Sequence, residues 1–307
     1  MLKLKVPATS ANLGPGFDCL GIALKLYNNF IFKENRQGLE IEVRKDGIQN
    51  KEIEIANTDN LIYKSVKRFQ KVSGIEVKNL KIIEESKIPL ARGLGSSATA
   101  IVGTLYGLNK IYNFPLNKNR LFEMAISIEG HSDNVIPAFT GGFVVSVLKG
   151  NKLNYKKISV ENSGLKAILV IPDFQLETKD LRAVLPDKVD FRDALFNQSR
   201  AALLTSVFAD QDWENLATAM EDRLHQNYRE KLIPGLKSVI KQGYKKGALG
   251  VALSGAGPTV LAFSKDYSED IAQDMQEIFS ENGVKSSYLV TGIDNKGVQN
   301  LLYRGDK

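Results

Sequence analysis

Residues 89–99 read Pro89-Leu90-Ala91-Arg92-Gly93-Leu94-Gly95-Ser96-Ser97-Ala98-Thr99, and past them apolar residues recur at helical spacing through Ile101, Val102, Leu105, Leu108 and Ile111. Two glycines set against the start of a long apolar helix constrain the chain more than any other feature it carries. The first N–H groups of a helix have no partner within it, and the aligned peptide dipoles put about half a positive charge there. Glycines at that point let an anion approach the backbone closely, so the segment reads as a phosphate cradle. A capped helix start with a glycine turn would use a bare glycine pair equally well. The two serines after Gly95 favour phosphate, because their hydroxyls can bond phosphate oxygens or ligate magnesium.

What is missing narrows the kind of phosphate site. Gly93-x-Gly95-x-x-Ala98 fits the relaxed dinucleotide fingerprint, which requires its first glycine at a strand end and an acidic residue about 20 residues on, at the tip of the next strand. Here Pro89 stands between strand and glycine, and the sequence stays helical to Asn113, which argues against that reading. Neither a G-x-x-x-x-G-K-S/T loop nor the H-R-D catalytic loop of protein kinases occurs. A nucleotide site here belongs to another class.

A chain of 307 residues suits two domains of about 150 residues each and buries enough surface to need no disulfide or structural metal. With Cys19 the only cysteine and His131 and His225 the only histidines, no intrachain disulfide, cysteine-based zinc site or histidine-rich metal site is available. Met1 to Val6 alternates apolar and charged residues as a strand does, unlike the apolar core of a signal peptide, and no apolar run reaches about 18 residues. A cytoplasmic protein with no membrane partner is expected. The 41 Lys and Arg against 35 Asp and Glu, a net charge of +6, favour an anionic partner without choosing one. Lys64, Lys67, Arg68 and Lys71 fall on a polar helix face and read as solvated surface. Basic residues are not interleaved with base-stacking aromatics as an RNA-binding sheet would need, so no nucleic-acid partner is expected.

Strand-like patterning marks Leu2–Val6, Leu20–Phe32, Leu39–Arg44, Ile53–Ile55 and Leu80–Ile83, and Asn60 opens an amphipathic helix that stops at Gly74. After the glycine segment come a helix through Ile111, a second begun near Asn117, and a strand at Gly142–Leu148. The polar stretch Ser159–Gly164 is the best boundary. Beyond it the pattern predicts a strand at 165–171, helices across 187–224 and 233–245, strands at 248–253 and 259–264, a helix near 268–282 and a strand at 286–291. Helices and strands interleave, yet many strands neighbour one another, which predicts an α+β fold rather than a doubly wound parallel sheet.

Two more segments complete the pattern. Pro7-Ala8-Thr9-Ser10-Ala11-Asn12-Leu13-Gly14-Pro15-Gly16-Phe17-Asp18 reads as a donor-rich loop after the first strand, and Leu253-Ser254-Gly255-Ala256-Gly257-Pro258-Thr259 joins two strands. Each alone is an ordinary turn. Together with Gly93–Ala98, in this order, they resemble the three signature motifs of the GHMP superfamily of small-molecule kinases: galactokinase, homoserine kinase, mevalonate kinase and phosphomevalonate kinase. Within it the likeness is closest to the homoserine kinases. Glu129-Gly130-His131-Ser132-Asp133-Asn134, the loop around Arg182 from Thr178 to Pro186, and Asn227-Tyr228-Arg229 look like that family's landmarks. Ser132 and Asn227 stand where the family usually has proline, and Ile136 where alanine is common.

The resemblance implies the two-domain GHMP fold, with an N-terminal ATP-binding domain at 1–162 and a C-terminal domain at 163–307, and a homodimer. It implies ATP and Mg2+ as cofactors and phosphorylation of the side-chain hydroxyl of L-homoserine, a step of threonine biosynthesis. A sibling activity on mevalonate or another small alcohol stays open. The nucleotide would lie on Pro89–Thr99, with Asn60, otherwise a helix cap, reading the purine edge. Glu129 and Ser97 would ligate magnesium. A zwitterionic acceptor needs cations for its carboxylate, for which Arg182 and Arg229 are suited because guanidinium binds carboxylate bidentately. Asp18 would take the ammonium, and Asn12, His131 and Asn134 the hydroxyl end. Sibling kinases place an aspartate near the acceptor where this chain has Asn134, with Asp133 beside it. Positioning and charge neutralisation can carry a largely dissociative transfer, so no dedicated side-chain base is expected.

Overall fold

The structure, a computed structural model, describes residues 1–36, 38–45, 60–150 and 152–301. The strand expected at Ile53–Ile55 lies outside them. In chain order the elements are β1 (Leu2–Asn12), β2 (Gly16–Glu34), β3 (Leu39–Lys45), α1 (Leu61–Ser73), β4 (Leu80–Ser86), α2 (Ser96–Ile111), α3 (Lys118–Glu129), α4 (Val135–Thr140), β5 (Phe143–Lys149) and β6 (Lys152–Ile158). There follow β7 (Lys166–Pro172), α5 (Thr178–Ala183), α6 (Phe191–Asp210), α7 (Leu216–Ala219), α8 (Gln226–Arg229), α9 (Leu236–Lys245), β8 (Gly250–Leu253), β9 (Val260–Ser264), α10 (Ser268–Glu281), β10 (Ser286–Gly292) and β11 (Gln299–Asn300).

Three expectations change. Pro7–Asn12, expected as loop, continues the first strand, with bulges at Pro7/Ala8 and Ala11/Asn12 absorbing the irregular sequence. Its polar residues are tolerated in the interior because each has a partner: Thr9 Oγ1 donates to Asn134 Oδ1 at 2.8 Å, and Ser10 Oγ lies 2.8 Å from Ser254 Oγ. Thr178–Ala183, also expected as loop, is the short helix α5. The helical stretch expected across 187–224 is α6 followed by a 3-10 turn and α7.

Local rules account for much of the rest. α1 starts where Asn60 Oδ1 accepts from the N–H groups of Ile62 and Tyr63, at 2.9 and 3.2 Å, and it ends at Gly74 in the left-handed region. The first sheet runs β11-β1-β2-β4-β3, with β5 on β2 and β6 on β5; only β3 and β4 pair in parallel. Leu4, Val6, Phe30, Phe32 and Ile82 of this sheet meet Val66 and Phe69 of α1 and Ile101, Leu105 and Leu108 of α2 in one core. The second sheet, β10-β7-β9-β8, is antiparallel throughout. Its strand β7 reads Ala167-Ile168-Leu169-Val170-Ile171 without alternation because both faces are covered. Ile168 and Val170 pack towards Val239 of α9 and Met275 and Phe279 of α10, while Ala167 and Leu169 share a core with Leu20, Phe143 and Phe208.

Ser159–Gly164 joins β6 of the first sheet to β7 of the second. The chain then crosses back: Ile293 bridges Leu24, and β11 pairs with Leu4 and Lys5 of β1. Among the described residues no helix is long and apolar enough to cross a membrane.

Candidate active site

A cleft of about 860 Å³ draws its walls from both halves of the chain. Its floor is set by Asn28, buried in β2, whose Oδ1 accepts from the N–H groups of Lys87 and Ile88, each at 2.9 Å, and so fixes the chain leaving β4. The glycine segment that follows is wedged between two neighbours. Thr9 N–H donates to Leu94 O at 3.1 Å, and Ser254 Oγ lies 2.6 Å from Gly93 O. Gly93 and Gly95 have φ of 76° and 67°. A Cβ would stand 2.2 Å from Ser254 O at Gly93 and 1.9 Å from Thr9 Oγ1 at Gly95, so no other residue fits either place. The three glycine and polar segments of the sequence therefore meet at one point.

Gly95 caps α2 without any side-chain bond, and the first N–H to fold back is that of Thr99, onto Gly95 O at 3.0 Å. Ser96 Oγ, on the cleft wall, is buried with no hydrogen-bond partner. Orphan hydroxyls are rare in native interiors and mark a place for a ligand or water. Beside it Ser97 Oγ donates to Glu129 Oε1. Glu129 is the last residue of α3, which Gly130 ends in the left-handed region. Burial raises its pKa, against the pull of Ser97 and the charge of His131.

His131 Nδ1 lies 2.6 Å from Asp133 Oδ1, and its Nε2 3.9 Å from Glu129 Oε1. Burial acts to lower the His131 pKa, but the Asp133 bond and the charges of Asp133, Glu129 and Asp18 outweigh it and leave the pKa raised. Asn134 caps α4 and accepts from Thr9. Its amide nitrogen makes no hydrogen bond among the described residues. Ser132 uses the hydroxyl that a proline would lack, 2.8 Å from Ser146 Oγ.

Across the cleft, Arg182 on α5 donates from Nη1 and Nη2 to Asp18 Oδ2 and Oδ1, at 3.0 and 2.6 Å. Asp18 is held by Asn12, whose Oδ1 accepts from its N–H at 3.0 Å while Nδ2 donates to Gly255 O at 2.8 Å. Arg229 is 1% exposed. Its Nε donates to Leu181 O at 3.1 Å, and its Nη1 to Gly255 O at 3.2 Å and to His225 Nδ1 at 2.9 Å. His225 Nε2 in turn donates to Gly14 O at 2.8 Å, so its ring is neutral with the proton on Nε2. Burial, aided by Arg229, lowers the His225 pKa in keeping with that state. The Arg229 pKa falls to about 10, through burial first and Arg182 second, and leaves the guanidinium charged at neutral pH. The Phe17 ring sits 5.4 Å from both guanidinium carbons.

Every residue expected at the site lines this one cleft except Ala98 and Thr99. Those two are fully buried behind the cradle, with Thr99 Oγ1 donating to Ser96 O at 2.7 Å. Asp18 and Arg182, expected to hold opposite ends of an acceptor, face each other across the cleft as an ion pair. Sequence reasoning missed Phe17, which was inside a quoted motif, and Asn28, whose signal was an asparagine in mid-strand. It also missed Glu84, an acidic residue on the inward row of β4 that lines the cleft.

Residues 60–142 match the GHMP kinases N terminal domain and residues 200–281 the GHMP kinases C terminal domain. The chain is 49% identical over 308 aligned residues to a homoserine kinase of Halothermothrix orenii, covering 100% of this chain and 97% of the relative. It is 42% identical to one of Persephonella marina, covering 97% of each. A crystal structure of homoserine kinase from Cytophaga hutchinsonii superposes with a TM-score of 0.87 at 28% identity, covering 98% of this chain and 97% of that one.

Proposed function

The chain belongs to the GHMP kinases and, within them, to the homoserine kinases, and on that premise we propose that it transfers the γ-phosphoryl group of ATP to the side-chain hydroxyl of L-homoserine, giving O-phospho-L-homoserine. One observation carries this reading: a phosphate-ready helix start shares a cleft with an acid and two arginines drawn from remote segments, the charge set an amino-acid zwitterion requires.

At the phosphate end, the unpaired Ser96 hydroxyl and the free N–H groups at the start of α2 face the nucleotide's oxygens, and Gly93 and Gly95 let those oxygens approach the backbone. Asn60 lines the cleft with its Oδ1 spent on the α1 cap, so its amide nitrogen remains for the purine. The donor set fits magnesium: Ser97 and Glu129 offer two hard oxygens side by side and would hold the ion. Bound there, the ion would supply charge neutralisation for the phosphates.

At the acceptor end, Arg229 is fixed by Leu181 O, Gly255 O and His225 before any ligand arrives, and it takes the carboxylate with Arg182. Asp18 takes the ammonium, so the zwitterion replaces the charges of the Asp18–Arg182 pair one for one. Asn134 and His131 border the hydroxyl. Because catalysis comes from positioning and charge neutralisation, the hydroxyl proton passes late to the transferred phosphoryl group with no side-chain base.

ADP release with a panel of acceptors tests the reading. L-Homoserine should stimulate turnover far more than L-threonine, L-serine or mevalonate. Equal or greater turnover with mevalonate moves the chain to a sibling activity.

A further inference from the structure

β4 presents Leu80, Ile82 and Glu84 on one row, facing the helices. The first two are core residues. Glu84 continues the row as a carboxyl that is 5% exposed, and its remaining exposure is to the cleft. Its register partner on β3 is Val43, which lines the cleft with it, as do Leu61, Ile62 and Ala100. These apolar walls suit the flat faces of a base. Among the described residues one hydrogen bond reaches the carboxyl, from Asn28 Nδ2 to Oε1 at 2.8 Å, and no cation pairs with it.

We propose that Glu84 reads the nucleotide base as a neutral acid, donating a hydrogen bond from Oε2 to a ring nitrogen of adenine. This rests on the nucleotide reading above and names the group that recognises the base.

A buried carboxylate with no cation is unfavourable, and the group relieves the penalty by keeping its proton. Burial raises the Glu84 pKa to about 7, with the Asn28 bond acting the other way. Among the described residues, the polar side chains that share the Asn28 amide with it are neutral: Ser86 of β4 and Thr99 of α2. The charges next along β4 turn to the opposite face, where Lys81 pairs with Glu40 and Glu42, and Glu85 accepts from Asn29. With Oε1 accepting from Asn28, the proton rests on Oε2. A neutral acid there offers the cleft a donor, and the ring nitrogens of adenine are acceptors. Ionised Glu84 offers only lone pairs.

The experiment measures the Kd of Mg-ADP and of Mg-tripolyphosphate from pH 6 to 8.5 for the wild-type chain, Glu84→Gln and Glu84→Leu. Tripolyphosphate occupies the phosphate cradle without a base. For the wild type, the competent neutral fraction falls to about one tenth by pH 8, so ADP should weaken about tenfold from its low-pH value. Glu84→Gln keeps an acceptor for Asn28 and a permanent donor, and should bind ADP with the low-pH affinity throughout. Glu84→Leu should bind ADP weakly at every pH and tripolyphosphate normally. Tripolyphosphate should not distinguish wild type from Glu84→Gln. Parallel ADP profiles for wild type and Glu84→Gln overturn the proposal, as does the same difference appearing with tripolyphosphate, which makes Glu84 structural. The function reading fails separately, if the wild type does not turn over ATP with homoserine.

Discussion

At the proposed phosphate end of the cleft lie backbone N–H groups and hydroxyls from one short run, Gly93 to Ser97. At the proposed acceptor end lie the side chains of Asp18, Arg182 and Arg229, which meet only in the folded molecule. The first end is closely packed, its two glycines leaving no room for a Cβ. The second is held unevenly, since Arg229 is buried and bonded on three sides while Arg182 and Asp18 have side chains 41% and 39% exposed. Backbone cradles recognise what every phosphate shares, whereas side-chain clusters can change their ligand by changing one residue. On the proposed function, such a division of labour would let acceptor choice vary without disturbing phosphoryl transfer.

The largest expected effect tests the closely packed end. Glu129→Gln keeps the shape of the side chain but removes its charge, and should lower kcat by about 10²–10³ with the melting temperature unchanged. Near-normal turnover at low magnesium would return Glu129 to a structural role and leave the phosphate end with the groups of Gly93 to Ser97 alone.

Next comes Glu84, through stability rather than activity. Its folded pKa of about 7 stands above the ordinary 4.5, so the folded chain holds this proton more tightly than the unfolded chain. Its contribution to stability is complete below pH 4.5 and is lost as pH rises towards 7, a fall of about 3 kcal/mol at most. Urea unfolding of Glu84→Gln at pH 5 and pH 8 should show the variant gaining on the wild type at the higher pH. A constant difference would mean that the carboxyl is already ionised at pH 5.

The two arginines give the smaller and sharper contrast. Replacing either by alanine should raise the homoserine KM by one to two decades, equivalent to about 1.5–3 kcal/mol, with the KM for ATP moving much less. Arg229→Ala should lower the melting temperature much more than Arg182→Ala, because it strips partners from Leu181 O, Gly255 O and His225. Arg182→Ala breaks a half-exposed ion pair, so at most about 1 kcal/mol of stability is lost. Equal losses of stability with no change in KM would dissolve the acceptor site.

The same contrast explains what could be read before folding. The caps of α1, Asn60 and Gly74, and the run Gly93–Ser97 act through neighbours in sequence, so their meaning is local and legible. Thr9 and Ser10 looked like loop residues because the partners that let a strand bury them, Asn134 and Ser254, lie far away in the chain. Family likeness pointed to Asp18, Arg182 and Arg229, yet no pattern of spacing says that two of them pair or that the third is buried. Glu84 follows Ile82 and Ile83 and precedes Glu85, and such a run does not reveal which of its members turns inward.

The return of residues 293–300 to the first sheet bears on the order in which the protein is made. A ribosome delivers β1 well before β11, so until β11 emerges β1 waits with an open edge at Leu4 and Lys5, the kind of edge that invites pairing with another chain. Tyr27 likewise waits for Asp294, to which its hydroxyl donates at 2.8 Å. β1 also carries Thr9 and Ser10, which brace the glycine cradle, so the strand that β11 clasps is the one that supports the cleft. A chain stopped short of Ile293 keeps every residue of the cleft and still lacks the clasp on the strand that supports it.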